Sequence, residues 1–415
     1  MTEPGSAERV VAAGGSTRGV PLVVSGVVSG YAGLGLTVGI VAWWGPVWCI
    51  PLTLVLAPAL ARTPSRLAAF ALMAGHAAGA SWGLPIGAAR FFGIDIALAL
   101  LLWGLAASVQ GGVFALAWSV RPTRHAAGAG VALLALSLPP LGTVGWASPL
   151  ASAGWLFAGW GTVGLLLVGV IFIGGVVLSG RAGGLLAVVV TGLWVHGVKV
   201  PALQPVSGWT GIDLALPFAT EGQKIEASKG LGRLLAIQTL AQREDLAPGD
   251  TLLLPESAFG REGHPDRLYW QALSDGAGVS LVGGGDWTRD GARYNTLWQL
   301  QPNAPARPLY AQRQPVPVSM WRPGGSDSWA ASWFGPAVVD IDGERLGVLI
   351  CYEQLLVWPA VASGMAGAEG FLLPSNLWWA GGTRIAAQLE GTSTAWAGLY
   401  GVPVVRAINH GSPPP

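Results

Sequence analysis

Between residues 20 and 199 the chain is apolar with little polar relief. The pattern breaks into seven segments, roughly 20–43, 47–61, 66–84, 93–119, 126–147, 154–178 and 183–199. Each approaches the ~20 residues a helix needs to cross the hydrocarbon core of a bilayer. The second is short and carries Pro51 and Pro58, so a kinked or re-entrant course is expected, and the fifth contains Pro139 and Pro140. Past residue 210 the pattern changes. Short apolar runs (IDLALPFA 212–219, DTLLLPESAF 250–259, GVSLVGGGDW 278–287, RYNTLWQL 293–300, LGVLICYE 346–353, GFLLPSN 370–376 and VPVVRAIN 402–409) read as strands. Helical stretches lie at 226–243, after 353 to about 367, and at 383–399. This alternation predicts an α/β domain around a buried sheet.

Composition sharpens the division. The chain is 52% hydrophobic and 11% charged, against about 25% charged in ordinary soluble proteins. Most ionisable residues follow residue 210. The expected organisation is a polar tail (1–19) without a signal-peptide pattern, a multi-span α-helical membrane domain (20–199, about seven helices) and a water-facing domain (200–415). The 62 glycines suit close helix packing in a membrane. Arg9, Arg18, Arg62, Arg66, Arg121, Arg124 and Arg181 fall on one side of the seven spans, with Arg90 on the other and Lys199 after the last. The positive-inside rule then places the N-terminus in the cytoplasm and residues 200–415 in the periplasm of a Gram-negative cell, anchored in its inner membrane. No Asp, Glu or Lys lies mid-helix to mark an ion path, which counts against a transporter. A net charge of +1 supplies no basic face, and no direct nucleic-acid binding is expected. The two cysteines cannot build a disulfide framework, and no spacing reads as a metal site. No cofactor is expected.

Three strand ends carry chemistry. Glu256 follows LLLP, Cys351 follows GVLI and Asn376 follows LLPS. In open α/β sheets reactive groups collect at strand ends. A carboxylate base, a thiol and an amide placed together would suit covalent acyl transfer: the base takes the thiol proton, the thiolate attacks a carbonyl, and an acyl-enzyme forms. Taken singly, Cys351 is more often a small buried residue and Glu256 a solvated loop residue.

The ordered set LLLPESAF, YNTLWQL, CYEQLL, LLPSNLWWAGG and GVPVVRAINHG resembles the carbon–nitrogen hydrolase (nitrilase) superfamily, most closely its membrane-bound apolipoprotein N-acyltransferase-like branch. The resemblance implies an α-β-β-α sandwich for residues 200–415. It implies catalytic roles for Glu256 as general base, Cys351 as nucleophile and Glu353 in support. Tyr352, Asn376, Trp378 and Trp379 would stand at the substrate side, and a membrane lipid is the implied acyl donor. The family's lysine motif, approximately Tyr-x-Lys-x-x-Leu-Val-Pro-Phe-x-Glu, is matched here by YAQRQPVPVSM (310–320). Gln312 stands at the lysine position and Met320 at that of an auxiliary glutamate. The only lysines are Lys199, Lys224 and Lys229, none of them between Glu256 and Cys351. Losing an oxyanion donor costs ~3–4 kcal/mol, about 10²–10³ in rate. Arg313 keeps a charge, but on a strand it would point to the opposite face. Three outcomes stay open: a slow or altered enzyme, an enzyme in which another arginine such as Arg322 serves as the cation, or a non-catalytic scaffold. The stretch VPVSMWRP also resembles a sub-branch, the TraB proteins of conjugative plasmids in rhizobia and agrobacteria. That implies a role in conjugal transfer, with conjugation or envelope proteins as partners. The acyltransferases continue past this point with further sheet and a spanning helix, whereas this chain ends at Pro415. Trp321, Trp329 and Trp333 read either as an interfacial belt or as core.

Overall fold

The computed structural model describes residues 19–178, 206–216, 226–243, 246–263, 265–325 and 328–411. Its first part is helical: α1 (Gly19–Trp44), α2 (Leu56–Ala61), α3 (Arg66–Ala80), α4 (Leu84–Phe92), α5 (Ile96–Ala117), α6 (Pro122–Ala135), α7 (Ala153–Leu156) and α8 (Gly161–Val177). Local capping sets two of the starts. Ser65 Oγ accepts from Ala68 N–H at the head of α3, and Asp95 Oδ1 from Ala97 N–H at the head of α5; both satisfy donors that the first turn leaves free. Prolines shape the rest, because each removes a backbone donor. Val47–Val55, with Pro51 inside it, is a 3₁₀ helix leading into α2. The segment expected at 126–147 is helical only to Ala135; past Pro139 and Pro140 it continues as short 3₁₀ turns, Leu141–Val144 and Pro149–Ser152.

Among the described residues, Ser25–Trp44 and Ile96–Ala117 are long and apolar enough to cross a membrane. A third span exists if α3 and α4, bent by 62°, count as one. Val47–Ala61 and Gly161–Val177 are apolar but shorter, and 183–199 lies outside the described residues. These helices are inside out by the standard of a soluble protein. Leu101, Leu105 and Leu116 on α5, Val131 and Leu134 on α6, and Leu166 and Val170 on α8 face outward. His76 and Gln110 are buried, bonding Ala147 O (3.0 Å) and Val144 O (2.8 Å).

The remainder holds β1 (Trp209–Gly211), α9 (Glu226–Ala241), β2 (Thr251–Leu253), α10 (Asp266–Ala277), β3 (Ser280–Arg289), β4 (Ala292–Leu300), β5 (Arg307–Ala311), β6 (Val338–Ile341), β7 (Glu344–Val348), α11 (Val357–Met365), β8 (Gly370–Asn376), α12 (Ile385–Tyr400) and β9 (Val404–Asn409). One sheet runs β1-β2-β3-β4-β5, parallel through β3 and antiparallel beyond. The other runs β6-β7-β8-β9, antiparallel at β6–β7 and parallel beyond. Successive strand residues point to opposite faces, and this builds the layers. Leu252 and Leu254 pack outward on Leu240 of α9 and on Trp270 and Leu273 of α10. Leu253, Val282 and Leu297 face inward and meet Val348, Leu372 and Val405 of the other sheet. Phe371 and Leu373 point out of the second sheet onto Val357, Ala360 and Trp396 of α11 and α12. The result is the α-β-β-α order expected for this part of the chain. That last cluster continues into Leu72, Trp155, Val168 and Phe172 of the helical part, so α11 and α12 lie between the second sheet and the apolar helices.

Two local expectations differ. The strand expected at 212–219 is displaced to Trp209–Gly211; past it, among the described residues, Leu214 bridges to Asn409, and 217–219 lie outside them. β5, β6 and α10 were not evident in the pattern, because their apolar positions are few and interrupted.

Candidate active site

Cys351 opens a 3₁₀ turn, Cys351–Leu355, three residues past the end of β7. Its φ is +47°. A non-glycine residue in that left-handed region carries about 1–2 kcal/mol of strain, so neighbours must hold it there. Glu353 supplies the hold. Its Oε2 accepts from Ile350 N–H (2.7 Å), and its Oε1 accepts from Tyr310 O–H (2.8 Å) and from the N–H groups of Arg313 (2.7 Å) and Gln314 (3.2 Å). Glu353 is fully buried, and Arg313 beside it provides the opposite charge. The Arg313 guanidinium bonds Tyr310 Oη (3.0 Å), Pro359 O (2.8 Å) and Ser363 Oγ (3.0 Å). Arg313 thus points toward α11 and locks the elbow from behind; it lies past the end of β5, so its direction is set by these contacts rather than by strand alternation.

Glu256 reaches the thiol from the other sheet, three residues past β2. The turn lies so close to β3 that a Cβ on Gly284 would fall 2.6 Å from Glu256 Cα; the glycine run of β3 makes this approach possible. Glu256 is buried, takes a hydrogen bond from Asn295 Nδ2 (2.6 Å), and has the Cys351 thiol and Asn376 N–H close enough to favour its charged form. Burial pushes its carboxyl up to about 7, against the pull of those three donors. Such a carboxyl suits proton exchange near neutral pH. Burial and the adjacent Glu256 charge push the Cys351 thiol up, while the backbone N–H groups of Asn376 and Tyr352 oppose them. No cation is among the main influences on the thiol.

Gln312 is fully buried beside them. Its Nε2 donates to Ile350 O (3.0 Å), and its Oε1 accepts from Asn295 Nδ2 (2.8 Å). Of the alternatives left open, Arg322 as a cation at the thiol is the one the fold disfavours: it is exposed, and its backbone N–H donates to Ser328 Oγ (2.8 Å). The loop it sits on folds back through Val318 N–H to Trp321 O and keeps the arginine at the surface.

Asn376 ends β8 and is held by Asn409 Nδ2, which donates to its Oδ1 (2.9 Å). Trp379 Nε1 donates to Asn376 O (3.2 Å). Phe91 of α4 stacks on Trp378 at 5.9 Å and meets Trp379 edge-on at 6.2 Å. Arg90 donates to Gly381 O. These tryptophans therefore connect the strand end to the helical part. Tyr352 does the same, its hydroxyl donating to Thr143 O (2.7 Å). Trp321 and Trp333 pack together at 5.6 Å, and Arg293 lies over Trp329. The structure gathers Glu256, Gln312, Cys351, Glu353 and Asn376 around one point. Sequence reasoning missed Asn295, Tyr310 and Asn409 and gave Arg313 no role at the elbow; a polar residue within β4 and at the end of β9 was the available sign for Asn295 and Asn409. No group of three or more His, Cys, Asp or Glu among the described residues could hold a metal ion.

No protein-family model matches the chain. It is 34% identical over 394 residues to the conjugal transfer protein TraB of Agrobacterium fabrum (strain C58 / ATCC 33970), covering 91% of each chain. It is 32% identical over 389 residues to the probable conjugal transfer protein TraB of Sinorhizobium fredii (strain NBRC 101917 / NGR234), covering 90% of this chain and 96% of that one. Similar solved structures include an amidase from Nesterenkonia sp. (19% identity, 48% of this chain and 74% of that chain, TM-score 0.34). Another is a carbon-nitrogen hydrolase from Helicobacter pylori G27 (17% identity, 48% and 72%, TM-score 0.35). With a third of its residues shared along nine-tenths of its length, the chain belongs to the TraB family of conjugal transfer proteins.

Proposed function

We propose that the chain is a membrane-bound enzyme of the carbon–nitrogen hydrolase kind. It would transfer an acyl group or hydrolyse an amide through a Cys351 thioester, in the service of conjugal plasmid transfer. The observation that carries this reading is the buried Glu256 carboxyl brought up beside the Cys351 thiol, from the opposite sheet and at a strained turn. The Glu256 carboxylate takes the thiol proton as sulfur bonds to the substrate carbonyl carbon. The leaving group departs with that proton, giving the acyl-enzyme. Water or an amine, deprotonated by Glu256, then attacks the thioester and releases the thiol. Glu353 acts by holding the elbow. Asn376, Trp378, Trp379 and Tyr352 form the substrate side, and Gln312 occupies the place of the family's lysine.

The outward-facing leucines and valines of α5, α6 and α8 support anchoring in the inner membrane by the helical part, 20–199. The arginine pattern supports a cytoplasmic N-terminus and a periplasmic domain at 200–415. A bilayer lipid would then supply the acyl group, with conjugation or envelope proteins as partners. The TraB names of the relatives support the link to conjugation.

The test is an acyl probe offered to membranes carrying the protein, with the adduct on Cys351 read by mass spectrometry. The reading expects a thioester adduct that forms at least tenfold faster than in Glu256→Gln. Equal rates would sink it. A second reading, a non-catalytic scaffold, is favoured by the absence of a cation from the main influences on the thiol. It expects Cys351→Ala to leave conjugation frequency unchanged while deletion of the gene lowers it.

A further inference from the structure

Ile350 O, Gln312, Asn295 and Glu256 form one continuous line of hydrogen bonds, and its direction is set from one end. A backbone carbonyl only accepts, so Gln312 must turn Nε2 toward Ile350 O (3.0 Å). Its Oε1 then faces Asn295, which must answer with Nδ2 (2.8 Å). The second hydrogen of that same NH₂ group goes to Glu256 Oε1 (2.6 Å). Turning Gln312 round would set oxygen against Ile350 O and donor against donor at Asn295; turning Asn295 round would set oxygen against oxygen at both partners. Ile350 and Gln312 are fully buried and Asn295 nearly so, so no water compensates and the direction is locked. The ordering continues into the backbone, where Gln312 N–H donates to Asn295 O (2.7 Å).

We propose that Asn295 and Gln312 are positioning residues. They form a neutral amide relay that presents a permanent donor to Glu256 Oε1, confines the carboxyl's proton to its other oxygen and so sets the pH at which Glu256 becomes a base. The proposal rests on the reading of Glu256 as the base for Cys351. Its distinctive consequence is that Gln312 governs Glu256 only through Asn295. The relay also explains a neutral glutamine where the resemblance leads one to expect lysine. An ammonium at 312 would offer Asn295 no acceptor, and the relay would reverse.

The test is the pH profile of Cys351 alkylation by iodoacetamide on the full chain in detergent. It is compared in wild type, Gln312→Met, Asn295→Leu and the double variant. Loss of the donor to Glu256 favours its neutral form. Each single variant should therefore raise the midpoint by at least about half a pH unit, roughly a threefold loss of base at fixed pH. The double variant should move it no further than either single, because both cut one line. The same midpoint is read independently from the carboxylic C=O infrared band that Glu256→Gln removes, which requires no reactive thiol. An unmoved midpoint in folded Gln312→Met or Asn295→Leu, or additive shifts in the double variant, overturns the relay. If wild-type Cys351 alkylates no faster than in Glu256→Gln at any pH, the base reading fails instead, and the infrared midpoints still decide the relay.

Discussion

Replacing Glu353 with glutamine tests how the elbow is held. The Glu353 carboxylate accepts four hydrogen bonds, from Ile350, Tyr310, Arg313 and Gln314, and it balances the buried Arg313 guanidinium. A glutamine keeps one oxygen. Its NH₂ group cannot accept from Ile350 N–H if the oxygen stays with Tyr310 and Arg313, so a buried donor is left facing a donor. Arg313 also loses its opposite charge. The two charges are linked through the Tyr310 hydroxyl rather than as a direct ion pair, and leaving a buried donor unpaired costs about 1–3 kcal/mol. At ~2–4 °C per kcal/mol for a domain of this size, the expected drop in Tm is about 2–12 °C, read by fluorescence scanning in detergent. Removing both charges should cost less than the sum of the single losses, so Glu353→Gln with Arg313→Met should be more stable than additivity allows. A loss below about 1 kcal/mol in Glu353→Gln, or full additivity in the pair, would refute the idea that this carboxylate holds the strained Cys351 turn.

Three further predictions address the pair itself and its support. Glu256 titrates at about 7 in the fold, against about 4.3 in an unfolded chain. The native state therefore binds the extra proton between those values; the stability this group contributes is full below about pH 4.3 and lost as pH rises through 7, so the Tm advantage of wild type over Glu256→Gln should shrink across that window, and a growing advantage would contradict the burial. Gln312→Lys reverses the relay but sets a cation against Ile350 O, one residue from Cys351, and the charge outweighs the lost donor, so Cys351 alkylation at pH 7 should speed up by about tenfold or more; an unchanged rate would show that a cation at 312 does not act on the sulfur. Gly154→Ala sets a Cβ 1.8 Å from Ala395 O, where α7 meets α12; overpacking of this kind should destabilise the protein by about 1–3 kcal/mol, and a neutral effect would mean the helical and α/β parts are not packed as one body.

Residue types in order along the chain were enough to locate most of the sheet core and the candidate thiol and base. LLL before Pro255-Glu256, GVLI before Cys351 and FLLP before Asn376 are buried strands whose apolar character is local, and their ends are where side chains leave the sheet. The outward-facing leucines of α5 were equally legible, because a helix apolar on every face has no water-facing stripe. β5, β6 and α10 were not legible, because Arg307, Pro308 and Asp340 interrupt the alternation and α10 buries little more than Trp270 and Leu273. Which side chains meet was also beyond local pattern. Asn295 reaches Glu256 across 39 positions of sequence and Gln312 across 17, and only the register of β3, β4 and β5 brings them into line. Arg313, one residue from Gln312, faces the other way onto Glu353. Periodicity decides what is buried; strand register and the packing of two sheets decide which buried polar group donates to which. The chain's own residues name a thiol and a carboxylate, and the tertiary structure decides that the third partner is a pair of oriented amides.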